Sequence, residues 1–289
     1  MKAYKIRHLS IIVIFMAMFP LMLNSCREQS KKPIKATSKD LGWKAPDINK
    51  LPADSESNLI RYGRDLIVHT SKYYGPKGSI ARISNGMECQ NCHLDGGTRP
   101  FGNSFAAVFS NYPKYRPRSG RVESIEFRVN ECMERSMNGK KIDTLSREMK
   151  AIKAYLSWLG KDVPKGVKPV GAGIQEIAFL KRAADPQKGR GLYSAKCQSC
   201  HGKDGQGLKN KDASGYLYPP LWGEKSYNVS AGMFRISRFA AFVKHNMPYT
   251  PVKMDPRLTD EEAWDLAAYV NSQQRTRKFF RYDWKEISS

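Results

Sequence analysis

Cys89-Gln90-Asn91-Cys92-His93 and Cys197-Gln198-Ser199-Cys200-His201 are one five-residue pattern, C-x-x-C-H, written twice, 108 residues apart. Two thiols three positions apart on a turn reach the two vinyl groups of one porphyrin. The histidine that follows presents its imidazole to the iron, which is how a c-type haem is covalently attached. A redox dithiol or half of a zinc site shares the cysteine pair, but neither calls for the same histidine at both places. The sequence predicts two covalently bound haem c groups. Cys89, Cys92, Cys197 and Cys200 carry the attachment, and His93 and His201 ligate the two irons.

Outward from each motif the pattern is helical. Before the first, Leu59, Tyr62, Gly63, Leu66, Ile67 and Thr70 recur at the spacing of one helix face. After it, Met149, Ile152, Tyr155, Leu156, Trp158 and Leu159 form a second helix that ends at Gly160. Gly189, Leu192 and Tyr193 mark a short helix before the second motif. Thr259 with Glu262 reads as a capping box opening a last helix, which buries Trp264, Leu266, Ala267, Tyr269 and Val270. Neither half alternates with the period of a long strand. The predicted fold is mainly α, two class I cytochrome c-like domains in tandem over 51–165 and 185–275. A linker over 166–184 joins them, and a basic, aromatic tail over 276–289 is positioned to wrap back on the fold.

The chain has 289 residues, 49 Lys+Arg against 27 Asp+Glu, a net charge of +22 and 40% hydrophobic residues. That is too apolar for a disordered chain. The one strongly apolar run, residues 9–23, is broken by Pro20 and falls short of the roughly 20 residues of a spanning helix, which excludes a polytopic membrane protein. Preceded by Lys2, Lys5 and Arg7, it predicts a secretory signal over 1–25. Leu23-Asn24-Ser25-Cys26 resembles a bacterial lipoprotein box. It implies an acylated Cys26, a flexible tether over 26–50 and a protein held by its lipid on the periplasmic side of a bacterial membrane. The positive charge alone would suit a nucleic acid. The export signal, the spread of the lysines and the lack of a recognition motif exclude that partner.

Six cysteines less four thioethers and one lipid anchor leave Cys132, an odd thiol. Each haem iron needs a second axial ligand. In the second half Met247, before Pro248 and 46 residues past His201, presents sulfur on a short turn; Lys244 is the chief rival, with His245, Met233 and Met254 as further alternatives. In the first half Met133, Met137 and Met149 lie on or near helical stretches and read as core. Cys132, 39 residues past His93, stands at the right interval. Arg118, Arg121, Arg128 and Arg135 surround it in sequence, and cations favour thiolate.

Three blocks, at 89–101, 112–118 and 128–139, resemble the dihaem thiosulfate dehydrogenases, and a weaker likeness extends over about 50–275. The resemblance implies a catalytic first haem ligated by His93 and Cys132. It implies a second haem, ligated by His201 with Lys244 or Met247, that passes electrons to a redox partner cytochrome or quinone-linked protein. It implies that two thiosulfate ions join to tetrathionate with release of two electrons, in either direction, and that Arg118 and Arg128 hold substrate. Elementary electrostatics agrees: joining two dianions needs a cationic site, and the guanidinium fork matches sulfonate oxygens. The rival class is a dihaem electron shuttle with no substrate, which would have no use for an odd thiolate.

Overall fold

A computed structural model of the chain describes residues 42–212, 214–249 and 257–284. The signal segment, Cys26 and Met254 lie outside them.

The first half is framed by α1 (Ser55–Val68), α2 (Ile125–Arg135) and α3 (Arg147–Leu159), and the second by α4 (Pro186–Lys196), α5 (Ile236–Asn246) and α6 (Asp260–Ser272). Short polar side chains start most of them. Asp54, Ser124 and Ser146 accept backbone N–H groups in the first turns of α1, α2 and α3, Asp185 does so for α4, and the capping box of Thr259 and Glu262 opens α6.

In each half the first helix crosses the last at a glycine. A Cβ on Gly63 would lie 2.0 Å from the Ala151 carbonyl oxygen and 2.8 Å from the Tyr155 Cβ; on Gly189 it would lie 2.0 Å from the Asp265 oxygen and 2.8 Å from the Tyr269 Cβ. The internal repeat is therefore a repeated joint, with backbone packed on backbone where only glycine fits. The two halves are tandem cytochrome c domains, mainly helical, each with its own apolar core. One core centres on Leu66, Met149, Tyr155 and Leu156, the other on Tyr193, Phe242, Trp264 and Val270. Tyr269 is half-buried at the edge of the second.

The strands are three short antiparallel ribbons: β1 (Gly102–Ser104) with β4 (Gly173–Ile174), β2 (Lys114–Arg116) with β3 (Arg121–Glu123), and β5 (Leu208–Lys209) with β6 (Tyr216–Tyr218). Two- and three-residue strands carry too little alternation to show in a sequence.

The segment read as a linker is part of the packing. Besides the β1–β4 pairing, Ser104 Oγ donates to the Gly171 carbonyl (2.8 Å), Ala172 and Ile174 are buried, and Trp264 Nε1 donates to the Ala178 carbonyl (2.9 Å). The tether read to residue 50 likewise stops short of it. Trp43 donates through its backbone to Val170 (3.2 Å) and through its indole to Leu159 (3.3 Å). Lys-, Gly- and Pro-rich composition marks both stretches as non-helical, but it is silent on which carbonyls their amides meet.

Arg182, from the same segment, forks onto Asp265 of α6 at 2.8 and 2.9 Å, and the Asp185 N–H donates to that carboxylate at 2.7 Å. These donors, led by Arg182, hold the carboxyl below its usual range. A depressed folded pKa means that the stability Asp265 contributes is present above its unfolded value and is lost as pH falls through the folded one. Asp265→Asn is expected to cost about 1–3 kcal/mol, since Arg182 is partly solvated. In thermal melts the mutant gap should narrow below pH 4.

Candidate functional site: two haem-attachment motifs and an arginine-flanked thiol

Cys89, Cys92, Cys132, Cys197 and Cys200 are all free thiols. Each C-x-x-C-H turn is anchored by its histidine. His93 Nδ1 lies 2.6 Å from the Asn103 carbonyl of β1, and His201 Nδ1 lies 2.8 Å from the Pro219 carbonyl. A carbonyl only accepts, so Nδ1 carries the proton in each ring and Nε2 keeps its lone pair. Burial lowers both imidazole pKa values, that of His93 to about 4, which keeps the rings neutral as iron requires. Phe105 stacks on His93 at 4.3 Å between centroids. Burial pushes the Cys89 and Cys92 thiols up to about 12.

The second motif opens into a cavity of about 460 Å³. Cys197, Cys200 and His201 line it together with Met247 and Pro248 from the end of α5, and Cys92 of the first motif also reaches it. A neutral histidine, two free thiols and an apolar cavity with a thioether on its wall fit a covalently attached haem. Lys244 turns elsewhere: its Nζ donates to the Leu258 carbonyl and pairs with Asp260 at 3.3 Å, at the start of α6. His245 Nε2 is buried with no hydrogen-bond partner among the described residues. Met233 is buried in the second core and also lines the cavity. Met133, Met137 and Met149 are buried in the first core.

At the first motif the odd thiol meets a cation. Cys132 stands one turn after Arg128 on α2, and its electrostatic reach extends to Cys89 and Cys92. Arg128 is held above its ordinary pKa chiefly by the charge of Cys132, then by Tyr112 and Glu131. Its Nη1 donates to Glu131 at 2.9 Å, so the guanidinium is fixed on one side and keeps further donors. Arg118 is placed differently. Its Nη1 donates to the Ser230 carbonyl of the second half (2.9 Å), it lies 5.8 Å from the Trp284 ring centroid, and its buried Nε has no partner among the described residues. The structure brings Arg128 to the thiol and Arg118 to the seam between the halves.

That seam holds residues the sequence did not single out. Arg135 of α2 pairs with Glu131 (3.0 Å) and forks onto Asp283 of the tail. The Trp284 N–H donates to the Arg118 carbonyl at 2.7 Å, and Lys278 Nζ donates to that of Gly139 at 2.8 Å. The tail read as basic and aromatic therefore folds back onto the helix that carries Cys132. Arg235 and Arg238, at the start of α5, extend the same cationic region. The Arg135–Asp283 and Lys278–Gly139 bonds span 148 and 139 residues and leave no local signal.

Among the described residues no group of three or more His, Cys, Asp or Glu side chains is gathered to hold an ion directly, and no helix is long and apolar enough to cross a membrane. Two C-x-x-C-H turns, each with an oriented neutral histidine, define a dihaem c-type cytochrome. Its first half matches the SoxA/TsdA cytochrome c domain over residues 79–164, and its second matches the cytochrome c oxidase cbb3-type subunit III family over 184–270. The thiosulfate dehydrogenase of Stutzerimonas stutzeri (strain A1501) is 37% identical over 233 residues, 81% of this chain and 73% of that relative. That of Allochromatium vinosum is 41% identical over 197 residues, 67% of this chain and 71% of the relative. The solved "as isolated" thiosulfate dehydrogenase (TsdBA) from Marichromatium purpuratum superposes with a TM-score of 0.75 at 33% identity over 82% of this chain. This chain spans half the length of that one. The chain belongs to the thiosulfate dehydrogenase family, and it is an oxidoreductase with two covalent haem c groups.

Proposed function

We propose that this protein joins two thiosulfate ions to tetrathionate with release of two electrons, that the chemistry takes place at the first motif, and that the second motif is the electron exit. The reading is supported by the odd thiol Cys132 standing one helical turn after Arg128 on α2, within electrostatic reach of both attachment cysteines of the first motif. His93 and Cys132 would hold the first haem and His201 and Met247 the second. When bound, the two groups supply a pair of one-electron acceptors.

The chain's own part is binding and bond formation. The free donors of the Arg128 fork bind the sulfonate oxygens of one thiosulfate and turn its terminal sulfur toward Cys132 Sγ. A sulfur–sulfur bond forms there, with the thiolate and the dianion together giving up two electrons. The terminal sulfur of the second thiosulfate then attacks the sulfur bonded to Cys132 Sγ, the Sγ–S bond breaks, tetrathionate leaves, and Cys132 returns as thiolate. Charge balances in both steps, and the same path in reverse splits tetrathionate.

The test is a steady-state assay with thiosulfate and an artificial acceptor, and with tetrathionate and an artificial donor. One tetrathionate per two electrons supports the reading. No spectral change with either anion would leave only an electron shuttle.

Met247 is the proposed second ligand because it faces the cavity of His201 while Lys244 is engaged with Leu258 and Asp260. Met247→Gly should shift the visible spectrum of the oxidised second haem and Lys244→Gln should not; the opposite pattern assigns the lysine. The net charge favours an acidic redox partner, a cytochrome or a quinone-linked protein. The basic start, the apolar run over 9–23 and the box at Cys26 support a further part of the proposal, export with a lipid on Cys26 holding the protein at the periplasmic side of a bacterial membrane. Labelled palmitate should enter the wild type and not Cys26→Ser.

A further inference from the structure

Thiosulfate coupling has to seat two dianions, and Arg128 can orient only one beside Cys132. The second half supplies what the second anion needs. The loop that leads into α5 is fastened to the end of α2 and to the turn between β2 and β3. The Asn228 N–H donates to the Arg135 carbonyl (3.1 Å), Asn228 Nδ2 to the Glu134 carbonyl (2.9 Å), and Ser230 accepts from Arg118 (2.9 Å). The helix then runs along β1, where Asn246 Nδ2 donates to the Phe101 carbonyl at 3.2 Å. That strand holds the carbonyl that orients His93. Arg235 and Arg238, the N-cap and third residue of α5, thus come from the second domain to the side of the first that carries α2, and His93 feels the charge of Arg238.

Their surroundings are cationic. Arg235 senses the charges of Arg116, Arg128 and Arg135, and Arg238 senses those of Arg235, Arg128 and Arg116. Arg118 senses Arg235, and His93 senses Arg238. The carboxylates interspersed among them are Glu123, Glu131, Glu176 and Asp283. Six arginines against four carboxylates leave a surplus of at least two positive charges. Glu131 and Asp283 are already spent on Arg128 and Arg135, and among the described residues no carboxylate lies within ion-pair distance of Arg116, Arg235 or Arg238. Arg116, Arg235 and Arg238 share one electrostatic neighbourhood with Arg128, their carboxylates are outnumbered and none forms an ion pair with them, and a cationic surplus of this kind marks an anion site.

We propose that Arg235 and Arg238, with Arg116, form a cradle across the domain seam that binds the second sulfur-oxyanion dianion beside the one oriented by Arg128. The second domain thereby completes the substrate site of the first. This rests on the thiosulfate reading of the first motif. Carboxylates of the bound haem share the chemistry of the ligand, and the test separates the two sources.

The experiment uses the holoprotein of the wild type, Arg235→Gln, Arg238→Gln and the double variant. Arg190→Gln, an exposed charge on α4, serves as the control for long-range steering. The readouts are KM and kcat for thiosulfate, the dissociation constant of the inert dianion sulfate by calorimetry, and the midpoint potential of each haem. A cradle predicts that the double variant raises KM and weakens sulfate binding at least ~10-fold, with haem potentials unmoved and Arg190→Gln like the wild type. Shifted potentials with KM and sulfate binding unchanged would give both arginines to the haem carboxylates and overturn the proposal. So would loss in equal measure in the Arg190→Gln control. Sulfate binding tests the cradle even in a protein that fails to oxidise thiosulfate, so failure of the cradle and failure of the proposed reaction remain distinguishable.

Discussion

Cys132→Gly is expected to lower thiosulfate-dependent turnover at least ~10³-fold, about 4 kcal/mol of transition-state stabilisation, while both haems stay attached. Attachment depends on Cys89, Cys92, Cys197 and Cys200, which the substitution leaves alone. Cys132 sits on α2 between buried Glu131 and Met133 and is itself half-buried, so glycine there removes a reactive group at small cost to the core. Helix propensity costs about 1 kcal/mol, too little to unfold the domain. Cys132→Met separates two roles of the sulfur. A thioether can still face iron but cannot form and release a sulfur–sulfur bond, so this variant should be as inactive as the glycine. Haem-stained gels with activity assays on the same fractions decide the matter; full activity in either variant removes Cys132 from the reaction.

Gly63→Val is expected to cost about 3 kcal/mol or more, because an added Cβ would sit 2.0 Å from the Ala151 carbonyl oxygen and neither backbone can give way without separating α1 from α3. For a chain of this size that lowers Tm by roughly 6–12 °C. The first domain should lose its haem to proteolysis before the second. The same change at Gly189 should reverse the order, because the joint with Asp265 repeats the contact in the other half. Thermal melts followed at each haem band check this, and an unchanged Tm in either variant would show that the crossing is not load-bound at glycine.

The parts of the fold that show in the sequence are those with a local code. The two C-x-x-C-H turns, the 3.6-residue periodicity of α1 and α3, the capping box at Thr259 and the helix end at Gly160 all depend on neighbours within a few residues. What does not show is assembled across distance. Arg135 meets Asp283 148 residues away, Arg118 meets Ser230 112 residues away, and the Gly- and Pro-rich stretch before α4 looks like a free linker until β4 pairs with β1. The candidate site divides in the same way. Cys132 stands out because simple counting leaves it over, and Arg128 precedes it by one helical turn. Arg235 and Arg238 have no motif, and their meaning comes from a loop pinned to α2 by Asn228 and to Arg118 by Ser230.

The most direct test of the account is low-temperature electron paramagnetic resonance of the oxidised holoprotein, beside Cys132→Gly. Two low-spin ferric signals are expected, one with the narrow g-spread of a histidine–thiolate axial pair, and this one alone should vanish in the variant. Two signals without thiolate character, unchanged by the substitution, would contradict it.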